Sequence, residues 1–349
     1  MGGEDRLLEV GLGMGGRLRQ YLRLVRPYGM LFLGLAPVFG AVANGEFNPV
    51  LLLLLFSIGM LYHVFTFVHN DIVDMAVDSR SSYVATRPLP AGAVPKAHAE
   101  EIAASAVVVM VALATCTWSI ATIVLLLIAV CCAVTYNMLS KRLPFLECVL
   151  GLGVFSLALA GAMIATTTVS PLSWLVAVAF YLQWVFSVGV TANLKDVEED
   201  AKSKVYTSPT VFGVTATNGK TTIPWLFRVY AAGISVAFLG VLGLPFLLGL
   251  VAGGIDGLPI PLVCYTIVSL LLLLTTVLLL RGPSPSRDTF LRITGVHEGF
   301  SLLLVPLVLS AMLLSAIGPG GLLLILGVII VWPLSWFRLL YGKTLIPLE

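Results

Sequence analysis

Apolar runs long enough to cross a bilayer recur along nearly the whole chain, and no other feature constrains its fold as tightly. A helix needs about 20 such residues to traverse the hydrocarbon core. Ten runs qualify, over roughly 29–45, 49–69, 98–118, 119–139, 146–168, 172–192, 223–250, 259–280, 299–317 and 321–341. The first is short and interrupted by Pro37, and only Pro319 and its neighbouring glycines separate the last two, so nine or ten spans are expected. Only 11% of residues are charged, against about a quarter in a soluble domain, which excludes a water-soluble enzyme. A net charge of +2 leaves no basic surface for a nucleic acid, and nothing in the pattern calls for a protein partner. The expected fold class is all-α: a polytopic membrane helical bundle.

Charge placement orients it. With the N-terminus inside, all 20 lysines and arginines fall on one side, from Arg6 to Arg338 and Lys343, and the opposite turns near residues 46, 118, 170, 255 and 319 carry none. The positive-inside rule makes that side cytoplasmic and favours ten spans, because only then does Lys343 return to it. A multi-pass protein of the cell membrane follows. Residues 17–26 alternate arginines with leucines and read as a basic interfacial helix. Three regions are expected: a basic interfacial segment over 1–27, a transmembrane unit over 28–318, and an additional helix with a short tail over 319–349. The five cysteines lie inside apolar runs without C-x-x-C spacing, as core residues do.

Ten of the 18 carboxylates occupy terminal or scattered loop positions. Seven of the rest cluster in two runs, HNDIVDMAVDSR at 69–80 and ANLKDVEEDAKSK at 192–204, with Glu147 apart. The runs match each other. Asp74 and Asp78 lead to Thr86, Pro88 and Gly92; Asp196 and Asp200 lead to Thr207, Pro209 and Gly213, with Asn70 and Asn193 preceding each pair. An internal repeat of about four spans, in parallel orientation, explains the match and brings both runs to one end of a central cavity. Carboxylates at i and i+4 share a helix face and repel unless a cation lies between them. Hard oxygen donors in this number suit Mg²⁺, which is usually completed by water and substrate phosphates. The plainer alternative is a pair of solvated helix ends neutralised by Arg80, Lys195 and Lys202.

A Mg²⁺-bound diphosphate would need cations too, and the same loops supply Arg26, Arg87, Lys141, Arg142, Lys202 and Lys204. A site polar at its rim and apolar beneath fits an amphiphile with a charged head and a long hydrocarbon tail.

These residues resemble the signatures of the UbiA-type intramembrane prenyltransferases. Asn70, Asp71, Asp74 and Asp78, followed by Arg87, Pro88, Leu89 and Gly92, are similar to the first. The run from Asp196 to Asp200, with Pro209 and Gly213, is similar to the second. Tyr136 with Lys141 resembles the tyrosine and lysine that the family places after span 4. The resemblance covers about residues 20–300 and leaves the tenth span outside. It implies a helical bundle in which Mg²⁺ ions hold a polyprenyl diphosphate. By position, Asn70, Asp71, Asp74, Asp78, Asp196 and Asp200 would lie at the metals, the four aspartates of the paired motifs being the catalytic set. Arg26, Asn70, Arg87, Tyr136 and Lys141 would contact the diphosphate.

The implied chemistry is ionisation of an allylic diphosphate and transfer of the prenyl group to a lipophilic acceptor: a quinone-precursor aromatic, an archaeal lipid alcohol or a carotenoid. Leaving-group charge is met by Mg²⁺ and the cationic rim, and the allyl cation by aromatic faces among Tyr62, Phe65, Tyr136, Tyr181, Trp184 and Phe186. A terpene cyclase on the same scaffold and a transporter are the competing readings. Transporters keep their charges near the bilayer midplane, however, whereas these acids sit at helix ends. The stretch from Gly213 to Thr221 imitates a phosphate-binding loop but has one residue too many before Gly219 and Lys220. His69, beside the first acidic run, reads as a hydrogen-bonded structural histidine, the alternative being that it tunes that run or acts as a base. Glu147 is placed to pair with Lys141 or act as a base, and the loop 281–298 to cap the cavity.

Overall fold

A computed structural model describes residues 14–80, 84–117, 119–203, 205–217, 220–254, 258–281 and 287–342. Its helices are α1 (Met14–Val25), α2 (Pro27–Ala43), α3 (Pro49–Asp78), α4 (Lys96–Thr115), α5 (Ile120–Leu139), α6 (Glu147–Ala162) and α7 (Pro171–Phe186). A π-helical turn (Ser187–Ala192) joins α7 to α8 (Asn193–Ser203), and the short α9 (Ser208–Val211) follows. The remainder are α10 (Trp225–Leu247), α11 (Ile260–Leu279), α12 (Arg287–Val308) and α13 (Ser310–Tyr341). Strands β1 (Thr215–Thr217) and β2 (Lys220–Thr222) pair antiparallel, so the stretch resembling a phosphate-binding loop is a small hairpin.

Eight helical segments are long and apolar enough to cross a membrane, and α1 with α2, bent by 41°, makes a ninth. With the shorter α6, at 16 residues, the described residues supply ten apolar passes. Pro37 does not interrupt the first pass, since it lies within α2. The last two meet at Gly318, whose φ of 68° and ψ of 177° belong to glycine almost alone. Leu309 bonds back to Val305 and Leu313 bonds back to Leu309, so helical bonding runs on from α12 until that glycine turns the chain. The final pass ends beside α1: Arg19 donates to the Leu340 carbonyl, and Tyr28 stacks on Phe337. Lys343 lies outside the described residues.

Small residues set the closeness of the packing. A side chain at Gly161 would collide with the Pro37 carbonyl, and one at Gly40 with the Ala158 carbonyl, so α2 and α6 cross backbone to backbone. Thr122 of α5 donates to the Ala160 carbonyl at 2.9 Å on the next face of α6. Caps mark the turns away from the acidic runs: Asn48 accepts from Val50 before Pro49, and Ser170 accepts from Ser173 before Pro171. At about 1.5 Å per residue, the 30-residue α3 spans about 45 Å, well beyond the roughly 30 Å hydrocarbon core. Its acidic C-terminal turns therefore project past the apolar layer.

The two halves repeat each other in backbone as well as in sequence. Gly92 and Gly213 adopt φ of 71° and 78°. Each donates to the residue three before it, Leu89 or Thr210, at 3.0 and 3.1 Å, and the chain then folds back on Pro88 or Pro209.

Candidate active site

Nine side chains from six segments converge on one cavity of about 200 Å³ at the acidic end of the bundle. They are Arg26, Asn70, Asp74, Asp78, Arg87, Tyr136, Lys141, Asp196 and Asp200. Helix α3 presents the first acidic group and α8 the second, while Tyr136 and Lys141 come from the end of α5 and the turn after it. Asn70 donates to Asp74 at 3.1 Å, and Lys141 lies 3.6 Å from the same carboxylate. Burial disfavours the Lys141 ammonium, but Asp74, Asp200, Asp78 and Asp196 outweigh it and hold its pKa above the ordinary lysine value. It stays charged.

Asp71 is placed differently from the rest of the expected set. Its side chain is almost wholly buried and does not line the cavity. It lies 2.5 Å from Arg26 and 3.7 Å from Arg87, which also reaches Asp78 at 3.2 Å. The geometry makes it an anchor for two arginines rather than a ligand facing the cavity. Helix phase does not separate it from Asp74 and Asp78, which share its face; what sets it apart is the approach of Arg26 and Arg87, which the motif alone does not show. Arg26 itself has φ of 51° and ψ of 61°, a left-handed backbone that is costly for arginine. It sits at the α1–α2 bend, with its carbonyl accepting from His63 and its guanidinium over the Phe67 ring.

Lys195, expected as a counter-charge to the acids, lies 3.8 Å from Asp196, whereas other partners went unnoticed in sequence. Arg287, at the start of α12, lies 3.1 Å from Asp196 and donates to the Lys195 carbonyl; Lys195 lines the cavity too. The segment expected to be a capping loop is thus helical from Arg287 onward, while residues 282–286 lie outside the described residues. Lys202 instead pairs with Glu198 and Glu199 at the surface, and Lys204 is outside the described residues. Of the expected aromatic walls, Tyr136 and Trp184 line the cavity, joined by Phe67. Tyr62, Phe65 and Phe186 pack in the core, and Tyr181 lies elsewhere beside Gly151. His69 is held by Asn137 at 2.9 Å. Glu147 accepts from Ser208 and Tyr230 and makes no ion pair with Lys141. Glu298, expected among the scattered loop acids, is instead a bonded residue within α12.

Among the described residues no three His, Cys, Asp or Glu side chains converge tightly enough to cage a metal unaided. That matches Mg²⁺ chemistry, in which one or two carboxylates per ion are completed by water and phosphate. The lining supports such a ligand. Arg87 Nε, Asn137 Oδ1 and Trp184 Nε1 are buried polar atoms with no hydrogen-bond partner among the described residues, and all three residues line the cavity. Buried groups of this kind carry a cost that a bound polar molecule removes. Leu150, Val188 and Phe67 add apolar surface to the lining.

The sequence pattern of the UbiA prenyltransferase family matches residues 30–296. The chain belongs to that family. It is a multi-pass membrane prenyltransferase. The 4-hydroxybenzoate octaprenyltransferase of Nitrosomonas eutropha is 29% identical over 209 residues, 56% of this chain and 70% of that one. The Aeromonas salmonicida enzyme of the same name is 32% identical over 199 residues, 56% and 67%. Among solved structures, a digeranylgeranylglyceryl phosphate synthase superposes with a TM-score of 0.60 at 21% identity, covering 86% of this chain and 99% of its own. A UbiA homolog from Archaeoglobus fulgidus bound to GPP and Mg²⁺ gives 0.58 at 18%, covering 83% and 99%. These structural likenesses establish the shared fold.

Proposed function

We propose that this prenyltransferase ionises a polyprenyl diphosphate at the acidic end of the bundle and passes the prenyl group to an aromatic quinone precursor. The observation that carries the reading is one cavity lined by two repeat-related carboxylate pairs, by four cations, Arg26, Arg87, Lys141 and Lys195, and by the apolar side chains of Leu150, Val188 and Phe67. The naming of the curated relatives as 4-hydroxybenzoate octaprenyltransferases supports the aromatic acceptor.

Asp74, Asp78, Asp196 and Asp200, with Asn70, would hold Mg²⁺. When bound, the metal neutralises the diphosphate and stabilises it as a leaving group. Arg26, Arg87, Lys141 and Tyr136 grip the diphosphate oxygens and meet the charge that grows on the bridging oxygen. Trp184 in the cavity wall offers its ring to the allyl cation, and the apolar lining keeps water from it. Asp71 holds the two arginines in place. The same charge distribution supports a cytoplasmic N-terminus and a cytoplasmic site, with residues 1–27 on the membrane surface, 28–318 forming the catalytic unit, and 319–349 an added helix and tail.

The test uses the full chain in liposomes with geranylgeranyl diphosphate, with Mg²⁺ or EDTA. Each of 4-hydroxybenzoate, geranylgeranylglyceryl phosphate or no acceptor is added. Prenylated 4-hydroxybenzoate that requires Mg²⁺ is the expected product. Prenylation of the glyceryl phosphate alone refutes the aromatic acceptor, and diphosphate release without any acceptor favours cyclisation.

A further inference from the structure

Between α7 and α8 the chain abandons the α-helix for one π-helical turn, Ser187–Ala192, immediately before the second acidic run. An inserted residue of this kind rotates everything beyond it by about 100° relative to an unbroken α-helix. That rotation decides which way Asp196 and Asp200 point. A widened turn is intrinsically unfavourable, so something must hold it.

Two carboxylates flank it: Glu298, half-buried and outside the cavity that holds the paired aspartates, and Glu147, buried at a smaller pocket that Asp196 and Asp200 also line. On one side, Glu298 of α12 accepts from Gln183 at 2.8 Å and from Ser187 at 2.7 Å, with Thr191 at 3.5 Å. Thr191 donates to the Ser187 carbonyl at 2.6 Å, spanning the turn from within. Gln183, Ser187 and Thr191 recur every four residues, so the carboxylate accepts from a residue one helical turn before the π-turn and from its first residue, while the fifth, Thr191, gives its one proton to the Ser187 carbonyl beside it. On the other side, Glu147 presses on Gly189. A Cβ there would stand 2.8 Å from both its Cγ and Oε1, and Glu147 is itself fixed by Ser208 and Tyr230.

We propose that Glu298 is a positioning residue: it holds the π-helical turn open and so aims Asp196 and Asp200 at the metal-binding cavity. This rests on reading those two aspartates as metal ligands. Residues that orient ligands in this way commonly change metal affinity by about 10- to 100-fold when replaced. Glu298→Gln keeps the size of the side chain but replaces one of its two acceptor oxygens by a donor, so it can no longer accept from Ser187 and Gln183 through both. It is therefore expected to weaken metal binding about tenfold.

The readout is Mn²⁺ binding, measured by electron paramagnetic resonance on the full chain in lipid nanodiscs with inorganic diphosphate. Glu298→Gln and the milder Ser187→Ala and Thr191→Val are compared with Ser235→Ala. The last removes a buried bond to Thr276 between α10 and α11, away from the turn, and controls for general loosening. Weakened Mn²⁺ binding in the first three, with Ser235→Ala unchanged, is the expected result. If Glu298→Gln does not fold, Ser187→Ala and Thr191→Val decide alone. Wild-type affinity in the folded turn variants overturns the positioning role and leaves the site intact. Failure of the wild-type chain to bind Mn²⁺ with diphosphate overturns the metal site and the positioning role together.

Discussion

Replacing Asp71 by Asn separates the carboxylates that face the metal from the one that holds the arginines. Asp71 is buried to 1% exposure, 2.5 Å from Arg26 and 3.7 Å from Arg87, and is turned away from the cavity. The amide of Asp71→Asn still accepts a bond from the charged Arg26 guanidinium, so the loss is the attraction between opposite charges in the two pairs, about 1 kcal/mol each, well below the roughly 3–5 kcal/mol of leaving a buried charge with no partner. Together, about 2 kcal/mol corresponds to a shift of about 30-fold in the population with both arginines in place. Arg26 feels it most, because its left-handed backbone is itself costly and its guanidinium has only the Phe67 ring as a further described contact. The KM for geranylgeranyl diphosphate should rise by a comparable factor, while the Mg²⁺ concentration for half-maximal rate moves less than about twofold. Asp74→Asn, in contrast, should shift the Mg²⁺ requirement strongly. The assay is steady-state prenyl transfer in liposomes with Mg²⁺ and diphosphate varied in turn. An Asp71→Asn enzyme whose Mg²⁺ dependence moves as far as that of Asp74→Asn would refute the reasoning and make Asp71 a metal ligand.

The crossing of α2 and α6 predicts that Gly161→Ala loses 1 kcal/mol or more, typically about 1–3 for overpacking, because the methyl meets the Pro37 carbonyl. Gly299→Ala, with open space around it, should be neutral or stabilising; thermal unfolding in detergent compares the two. Tyr62→Phe removes a bond to the Ala129 carbonyl and should cost about 1 kcal/mol of stability with kcat unchanged, whereas Trp184→Leu, in the cavity wall, should lower kcat. Arg287→Gln removes a half-exposed partner of Asp196 and should change kcat/KM only about threefold, because such pairs contribute at most about 1 kcal/mol. A loss above 100-fold would make Arg287 a direct diphosphate ligand.

The fold was legible because a bilayer leaves few choices: backbone groups must bond internally, so each apolar run becomes a helix. The acidic site was legible for a related reason. Charges beside apolar helices are costly, and Asp74 with Asp78, like Asp196 with Asp200, repeats a spacing that no packing requirement explains. What the sequence hid were relations between distant segments. Asp71 sits three residues before Asp74 and seven before Asp78 and reads as one more acid of the same face; only the approach of Arg26 and Arg87 sets it apart. Arg287 and Glu298 lie about 90 and 100 residues beyond the second run, and only the packing of α12 against the π-helical turn brings them near it. Periodicity could not reveal that turn, since one extra residue within a continuous apolar segment changes neither hydrophobicity nor length. The small polar residues at 183, 187 and 191 were a readable signal. Three hydrogen-bonding side chains at four-residue spacing inside an apolar helix require a polar partner, but Glu147 and Glu298 both border apolar runs, and only the packing selects Glu298. The sequence thus announces the groups that face substrate by clustering their charge. It announces the groups that aim them only by polar atoms left wanting a partner.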